Sequence, residues 1–377
     1  MSNIKIGLHH KYYGYATAVY NTNLENVRYI SVPFIPFRKL KYKSELLGNI
    51  KIFSPLPSVD IYHTYNNIVW NKKNWIVSFE SFLPRFLDFL RDQKTMTWGY
   101  EKLASKHCRK ILPISHAAKR LFYGMARFHN FDPIIFDSKT TIIYPAIQAA
   151  TPKFTRNDNN INLIFIGNLF YQKGGRVVVD TFNELCQKYP HLQLMIISSM
   201  NRNTSLGYMT EDEHLNYLDK NILKNKKIYW LQNVPHQDVL NYYLPSADIN
   251  LLPTFDDTFG FVIAEAMFAG LPTIATNVFA IPEMVKHGEN GFLIDIPMNE
   301  FGMIEIFWEN SLAKKKQWLL NLEEEIKPIF KNYLVQLIEN KDLRVQFGKK
   351  SVEIALEKFD YRVRNEKLAQ IYQEALN

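Results

Sequence analysis

The sequence predicts an α/β protein made of two doubly wound units, each a parallel sheet covered by helices. The chain has 377 residues, which is long for one hydrophobic core and favours two domains. Strand-like and helix-like segments alternate along most of the chain, and this alternation is typical of parallel sheets. The polar segment 148–162 interrupts the alternation, which then starts again. We therefore predict a linker at 148–162.

The first half contains short runs of β-branched and aromatic residues that end in polar residues, as buried strands do. We predict strands at 59–68, 74–80, 107–115 and 140–147. The segment 116–128, "HAAKRLFYGMARF", is predicted to be a helix between the last two strands.

The second half repeats this pattern and ends in helices. We predict strands at 163–168, 192–198, 227–232, 249–254 and 271–276. Helices are predicted at 175–189, 236–247, 261–269 and 280–288. From about residue 298 the chain turns helical and charged, and its KKK and EEE blocks are typical of solvated helix faces.

Composition indicates an ordinary globular protein of a reducing cytoplasm. Hydrophobic residues make up 47% of the chain and charged residues 22%. The two cysteines, Cys108 and Cys186, cannot form a disulfide framework and are not spaced like metal ligands. We expect no secretory signal and no membrane-spanning helix, because no run of about 18 uncharged apolar residues occurs.

The segment "FIGNLFYQKGGR", 165–176, has the features of an anion site. A strand leads into Gly167, and Lys173 and Gly174 precede the next helix. Free amides at a helix start, flexible glycines and a lysine suit a phosphate. The spacing fits neither the Walker A loop nor the dinucleotide fingerprint. An ordinary strand-to-helix turn is the alternative.

The segment "FDDTFGFVIAEAMFAGLP", 255–272, places one carboxylate on an apolar helix. Glu265 lies about one and a half turns into the helix that Gly270 and Pro272 end. A carboxylate among apolar side chains needs a partner. A vicinal diol such as that of ribose suits it, because a carboxylate accepts two hydrogen bonds. The alternative is a glutamate on the solvent-facing stripe of a half-buried helix.

These two segments resemble the donor site of the retaining GT-B glycosyltransferases, family 4. The stretch from Asp257 to Glu265 is similar to that family's E-x7-E element, and 257–294 is similar to its donor segment almost throughout. "GNLFYQKGG" matches the spacing of its GR-x4-KG phosphate loop. The resemblance is clear over about 140–295 and fainter over 59–124.

The resemblance implies the GT-B fold, in which two Rossmann-like domains of doubly wound parallel sheet face each other across a cleft. The acceptor-side domain would comprise 1–148, joined by a returning C-terminal helix at about 360–377. The donor-binding domain would comprise 149–359.

The resemblance also assigns roles to the donor-side residues. Glu265 would bind the ribose of a nucleotide sugar, Asp257 would contact hydroxyls of the transferred sugar, and Lys173 would neutralise the leaving diphosphate. The other donor-binding positions would be Gly167, Asn168, Gly174, Thr258, Phe259, Gly260, Phe261 and Val262, with backbone amides of the last four near the diphosphate.

Two donor-side positions depart from the family pattern. Asn168 replaces the usual arginine, so another cation, Arg176 or Arg202, is expected to replace the missing charge. Asp257 is one methylene shorter than the usual glutamate. We expect this shorter side chain to alter the choice of sugar.

The acceptor side matches the family less closely. Glu80 stands where a histidine is expected after the strand at 74–80, and we place Glu80 among the catalytic residues. Tyr65 replaces another histidine of some members. The glycine-rich acceptor loop is replaced by "GLHHKYYGY", with His9, His10 and Gly14. Each histidine, judged alone, is more often an ordinary surface or core residue.

The implied reaction transfers a hexosyl or N-acetylhexosaminyl group, with retention, from a nucleotide-diphosphate sugar to a hydroxyl. UDP and GDP sugars are the expected donors, and the acceptor would be a glycan or glycolipid of bacterial surface polysaccharide, such as lipopolysaccharide, O-antigen or capsule. No cofactor and no metal are expected, although Asp256 and Asp257 raise the possibility of Mg²⁺. Front-side attack is expected, since no nucleophile paired with a base is evident.

Charge is unevenly distributed along the chain. Residues 1–150 hold 21 Lys and Arg against 9 Asp and Glu, a net +12; the remaining residues hold 24 against 28, a net −4. The segments 81–93 and 105–129 mix basic with apolar residues, which suits an anionic membrane surface carrying a lipid-linked acceptor. We therefore expect a cytoplasmic enzyme in peripheral contact with the plasma membrane. Core aromatics with solvated lysines are the alternative.

Three other functions remain open from the sequence. A nucleotide-sugar epimerase or another non-transferring GT-B enzyme would consume nucleotide sugar without an acceptor. A phosphorylase would need a pyridoxal lysine, for which no motif is found. A nucleic-acid-binding protein would use the basic half, but no recognised module is visible.

Overall fold

The structure, a computed structural model, consists of two compact units. It describes residues 4–8, 24–35, 50–55, 57–71, 73–86, 92–148, 150–154, 160–200 and 209–376. One unit comprises Met1–Ala146 and Lys358–Asn377, and the other comprises Ile147–Glu357. The acceptor and donor roles assigned to the two halves stay predictions.

The first unit is built on a five-stranded parallel sheet with the order β2-β1-β4-β6-β7. The strands of the first unit are β1 (Ile4–Leu8), β2 (Val27–Ser31), β3 (Ile50–Lys51), β4 (Ile61–Tyr65), β5 (Ile68–Val69), β6 (Trp75–Phe79) and β7 (Cys108–Pro113). Of these, β3 and β5 form a separate small parallel sheet. Every residue of β4 and β6 is buried. Such strands are typical of parallel sheets covered on both faces.

The second unit is built on a six-stranded parallel sheet with the order β10-β9-β8-β11-β12-β13. Its strands are β8 (Ile161–Ile166), β9 (Leu192–Ile197), β10 (Ile228–Leu231), β11 (Ile249–Leu252), β12 (Thr273–Thr276) and β13 (Gly291–Ile294). The chain builds outward in one direction from β8 through β9 to β10, and then in the other from β11. The order therefore reverses between β8 and β11, which makes this pair the topological switch point.

Helices connect the strands and close the chain. The α-helices are α1 (Gln93–Ala104), α2 (His116–Phe128), α3 (Gly175–Lys188), α4 (Glu211–Tyr217), α5 (His236–Asp238), α6 (Leu244–Ser246), α7 (Phe261–Phe268), α8 (Ile281–Met284), α9 (Leu312–Glu339), α10 (Lys341–Phe359) and α11 (Tyr361–Leu376). Wider π-type turns cover Leu218–Leu223 and Val239–Tyr243, and 3-10 turns cover Pro133–Lys139 and Glu305–Trp308.

The last helix returns to the first unit. Leu368 and Tyr372 of α11 pack into an apolar cluster with Ile6 and Ile61 of the sheet. The Nζ of Lys110 in β7 lies 2.6 Å from the carboxylate of Glu374. The predicted α/β class, with two parallel sheets and a returning C-terminal helix, is confirmed.

The predicted strand 59–68 is divided between β4 and β5, which lie in different sheets. Three further predicted elements differ from the structure. The segment 140–147 is extended beside β7 but forms only an isolated bridge, between Thr140 and Ile111. Pro145 lies in this segment and has no amide hydrogen to extend a ladder. The predicted helix 236–247 is divided into α5, a π-type turn and α6, with Pro245 at the start of α6. A proline removes a helical hydrogen bond, and the wider turn accommodates that loss.

The predicted helix 280–288 is the last of these differences, because α8 ends at Met284. The Asn290 side chain accepts from the amide of Lys286 at 2.6 Å and donates to the carbonyl of Met284 at 3.2 Å. These bonds replace the hydrogen bonds that would continue the helix. In the part of the chain that the structure describes, no helix is both long enough and apolar enough to cross a bilayer.

Candidate functional site

The site lies in the second unit, at the carboxyl ends of β8 and β11. Ligands of doubly wound sheets bind at the switch point, beyond the carboxyl ends of the strands. The turn 167–174 follows β8 and the turn 253–260 follows β11. The two segments that the sequence analysis singled out are therefore adjacent in space.

Glycines allow the two turns to pack closely. Gly174 caps α3 with a φ of +77°, and a Cβ there would lie 2.0 Å from the carbonyl oxygen of Pro253 in the other turn. A Cβ on Gly175 would lie 2.3 Å from the ring of Phe170. The glycines at this turn are thus required by protein packing, whereas the sequence analysis gave them the role of admitting an anion.

Lys173 and Asp257, one from each turn, form an ion pair. The Nζ of Lys173 lies 2.8 Å from Oδ2 of Asp257 and also donates to the carbonyl oxygen of Asp256 at 2.8 Å. The side chains of the pair are 18% and 17% exposed. Lys173 also passes close to Gly167, where an added Cβ would lie 3.0 Å from its Cγ. A cation and a carboxylate therefore meet at the switch point and both reach solvent.

Asp257 also bonds to the backbone of the turn just before α7. Its Oδ1 accepts from the amide of Phe259 at 3.2 Å and from the amide of Gly260 at 2.9 Å. Gly260 then starts α7 with a φ of +89°. A short aspartate side chain is suited to such local bonds to the backbone. Two of the four positions expected to offer amides to a diphosphate, Phe259 and Gly260, thus bond to Asp257 in this structure.

Asp256 points away from its neighbour. Its Oδ2 accepts from the side-chain amide of Gln172 at 3.0 Å. Burial raises the pKa of Asp256; the charge of Lys173 opposes this rise and that of Asp257 adds to it. Within the described ranges, no group of three or more residues could hold a metal ion. Metal independence stays a prediction.

Glu265 is buried in the middle of α7, so the alternative of a solvent-facing stripe is wrong. Its side chain is 7% exposed, and its neighbours in the helix are apolar and buried. Its Oε1 lies 2.8 Å from Nε2 of His236, the first residue of α5. The hydrogen bond and charge of Glu265 raise the pKa of His236, while burial opposes the rise.

His236 is the site residue that the sequence analysis missed. The signal that could have found it is Glu265 itself, since a carboxylate buried among apolar side chains needs a donor. The region 232–247, between β10 and β11, carries several candidate donors, and spacing alone does not select among them. The structure identifies the imidazole of His236.

Asn168 and Arg176 occupy different surroundings. The side-chain oxygen of Asn168 accepts from the amide of Ser199 at 3.4 Å, which ties the turn after β8 to the turn after β9. The guanidinium of Arg176 lies 3.4 Å from the carboxylate of Glu323 and over the ring of Tyr217. The structure therefore pairs Arg176 with α9. The other expected replacement cation, Arg202, lies outside the described residues.

In the first unit, the structure brings together two of the acceptor-side residues. The hydroxyl of Tyr65, at the end of β4, donates to Oε2 of Glu80 at 3.2 Å, just beyond β6. Asn66 donates to the other oxygen of Glu80 at 3.2 Å, and Arg85 forms an ion pair with it. His9, His10 and Gly14 lie outside the described residues.

The chain resembles known glycosyltransferases. Residues 147–303 match the family described as Glycosyl transferases group 1. An uncharacterized glycosyltransferase of Haemophilus influenzae is 26% identical over 250 residues, which are 66% of this chain and 60% of that protein. D-inositol 3-phosphate glycosyltransferase of Corynebacterium jeikeium is 26% identical over 210 residues, 56% of this chain and 42% of that protein. The chain thus matches between two fifths and three fifths of these relatives' lengths.

A solved structure extends the likeness to almost the whole chain. The crystal structure of Anabaena HepE in complex with UDP-glucose has a TM-score of 0.56 at 15% identity, covering 98% of this chain and 99% of that chain. The resemblance to family 4 is confirmed, and the fold is of the GT-B class. Residues 147–303 are thus similar to the group 1 glycosyltransferases.

Proposed function

We propose that the protein is a retaining glycosyltransferase that transfers a sugar from a nucleotide-diphosphate sugar to a hydroxyl of a glycan or glycolipid. The observation that carries the proposal is the Lys173–Asp257 ion pair at the switch point of the second unit, 2.8 Å between Nζ and Oδ2. This contact between a cation and a carboxylate supports a site for a diphosphate and for sugar hydroxyls. The match of 147–303 to the group 1 glycosyltransferases supports this reading.

The donor would be held by its charge and its hydroxyls. To contact the diphosphate, Lys173 would either leave Asp257 or donate some of its three N–H hydrogens to the diphosphate and keep one on Asp257. Asp257 and Thr258 would then accept from or donate to the hydroxyls of the sugar. Glu265, which is buried in α7, would accept hydrogen bonds from the hydroxyls of the ribose. Amides at 259–262 would approach the diphosphate, those of Phe259 and Gly260 by exchanging their bonds to Asp257.

The chemical step would be a front-side displacement. The acceptor oxygen forms a bond to the anomeric carbon while the bond from that carbon to the β-phosphate oxygen breaks. The electron pair of that bond goes to the phosphate oxygen, which takes the acceptor's proton. Negative charge on the phosphate rises in the transition state, and Lys173 stabilises it without reorganisation. No metal is needed in this scheme.

UDP-linked hexose is the donor that we would test first. The HepE structure with this fold was solved in complex with UDP-glucose. GDP sugars and N-acetylhexosamine donors belong to the same proposal, because base and sugar contacts differ among enzymes of one fold. Gly167, Asn168 and Gly174 complete the proposed phosphate turn.

The acceptor side would be the first unit, with Glu80 and Tyr65 near the acceptor. We propose an acceptor from bacterial surface polysaccharide synthesis, such as lipopolysaccharide, O-antigen or capsule, presented at the inner face of the plasma membrane. The net +12 of residues 1–150 supports an anionic partner. Around the end of α2, Phe128 and Ile134 are 60% and 69% exposed, and Arg127 is also exposed, a mixture that suits peripheral membrane contact.

A nucleotide-sugar epimerase or another non-transferring enzyme of the same fold is the second candidate. It would use the same donor residues, and the observed site favours neither function by itself. The dependence of nucleotide release on an acceptor separates the two.

The test is a donor screen followed by an acceptor-dependent assay. UDP-, GDP-, dTDP- and ADP-sugars are screened by thermal shift, and nucleotide diphosphate release is then measured with and without acceptor lipid extracts. We expect a UDP or GDP sugar to raise the unfolding temperature and the extract to accelerate release. Stabilisation by none of these sugars would contradict both candidates, and consumption of the sugar without an acceptor would favour the second.

A further inference from the structure

The Glu265 carboxylate is held at one oxygen and open at the other. Oε1 lies 2.8 Å from Nε2 of His236, and among the described residues His236 is its only side-chain partner. Oε2 accepts no hydrogen bond from a described residue, and it is not among the fully buried polar atoms that lack a partner. A carboxylate that is 93% covered thus presents one accessible acceptor atom.

The bond from His236 leaves the carboxylate of Glu265 able to accept further hydrogen bonds. An ionised carboxylate has about four lone-pair sites, and the imidazole takes one of them. The remaining sites are sufficient for both hydroxyls of a vicinal diol. His236 itself is 57% exposed on its side chain, so it connects the buried carboxylate to solvent.

We infer that His236 is a positioning residue that orients Glu265 for the ribose of a nucleotide donor. The inference rests on the proposed function and extends it to a residue that does not need to touch the donor. The helix offers no alternative anchor, because the positions three and four residues from Glu265, which share its face, are Phe261, Val262, Phe268 and Ala269, and none has a side-chain donor. Without the imidazole, the carboxylate would lose the bond that fixes its rotamer.

The charged groups around the pair are few. β11 and β12, which pack against α7, have no titratable side chain. α8 carries Glu283, α5 carries Asp238 in addition to His236, the π-type turn after α5 carries Tyr242 and Tyr243, and the turn before α7 carries Asp256 and Asp257. None of these groups contributes to the shift of His236; its pKa is raised by the hydrogen bond and the charge of Glu265.

This arrangement makes donor affinity depend on pH. Protonation of His236 adds one positive charge beside Glu265. A nucleoside diphosphate is an anion, so it should bind more tightly below the raised pKa of His236. As pH rises above 6.5 and through that pKa, the affinity should fall.

The first experiment compares variants of His236 by calorimetric titration with UDP, GDP and ADP. His236→Ala should weaken binding of the preferred nucleotide about fivefold, since one hydrogen bond to a charged group is lost. His236→Gln keeps a donor at the same reach, so it should remain within about twofold of the wild type at pH 8.5, and its affinity should lack the His236-dependent change between pH 6 and 8.5. Gln237→Ala, whose exposed side chain bonds Asn241 and Gln148, is the matched control.

The second experiment removes the hydroxyl from the ligand. The preferred nucleotide and its 2′-deoxy form are titrated into the wild type, Glu265→Ala and His236→Ala. The wild type should show a penalty for the deoxy form, Glu265→Ala should abolish most of it, and His236→Ala should reduce it. A merely structural role would lower the affinity for both nucleotides equally and leave the penalty unchanged.

The outcomes separate the two levels of the proposal. If none of the three nucleotides binds the wild type, the proposed function fails and the role of His236 fails with it. If a nucleotide binds and Glu265→Ala weakens it, while His236→Ala changes neither the affinity nor the deoxy penalty, the role of His236 is overturned and the proposed function stands. A reduced penalty in His236→Ala, together with loss of most of it in Glu265→Ala and wild-type affinity in His236→Gln, supports the inference.

Discussion

At the scale of single residues, Lys173 and Asp257 form an ion pair with each other. Their 2.8 Å contact is partly exposed, so it costs less to open than a fully buried pair would. Asp257 has a second role, because its other oxygen accepts from the amide of Gly260 just before α7. One short side chain thus connects the proposed phosphate site, the proposed sugar site and the start of a helix.

Lys173→Ala is predicted to lower kcat more than it raises KM for the donor. A fixed cation acts mainly where charge develops, and removing one such group typically costs about 10² to 10³ in rate. The measurement is steady-state nucleotide diphosphate release with a saturating acceptor extract. Lys224→Ala, which removes a surface cation paired with Asp219, is the control, and equal kcat in the two variants would contradict the role of Lys173.

Two substitutions of Asp257 are predicted to differ in their effect on stability but not in their effect on sugar choice. Asp257→Asn keeps an oxygen for the amides of Phe259 and Gly260, so the free energy of unfolding should change by less than about 0.5 kcal/mol, whereas Asp257→Ala should lose about 1 kcal/mol. Both variants lose the charge beside Lys173 and should show altered sugar choice. Urea unfolding and a panel of UDP sugars measure the two effects. An Asp257→Ala variant as stable as Asp257→Asn would show that these two hydrogen bonds contribute nothing to stability.

At the scale of elements, parallel-sheet geometry explains why part of the site was predictable. Lys173 and Asp257 follow strands that become neighbours, and the carboxyl ends of such strands meet at one edge. The His236–Glu265 contact was not predictable, because it joins a short helix after β10 to a helix after β11 and depends on side-chain rotamers. The predicted strand at 140–147 was wrong for a different reason. The segment has the composition of a strand, but Pro145 has no amide hydrogen to extend a ladder, and only one bridge forms.

Gly174→Ala is predicted to destabilise the second unit strongly. The residue has a φ of +77°, and a Cβ would lie 2.0 Å from a backbone oxygen of Pro253. We expect a loss of about 3 kcal/mol or more, combining the left-handed conformation with a backbone clash. Gly288→Ala is the matched control, because its φ is +78° with nothing within 4 Å of the added Cβ; it should lose about 1 kcal/mol. Equal losses by urea unfolding would show that close packing of the two turns is unimportant.

At the scale of the whole molecule, the fold class was predictable and several roles were not. Alternating strands and helices, with one interruption, indicated two parallel sheets, and the structure has them. The return of α11 to the first unit followed from the family resemblance; composition alone did not indicate it. The proposed acceptor role of the first unit involves Glu80, which is held by Tyr65, Asn66 and Arg85, and these side chains do not specify one acceptor.

The most direct measurement is a calorimetric comparison of UDP with uridine on the wild type, Lys173→Ala and Glu265→Ala, with GDP and guanosine as the second pair. If Lys173 binds the diphosphate and Glu265 the ribose, the wild type binds the diphosphate more tightly than the nucleoside. Lys173→Ala should then bring the two affinities together, whereas Glu265→Ala should weaken both by a similar factor. Wild-type affinity for both ligands in both variants would contradict a nucleotide-sugar site at this switch point.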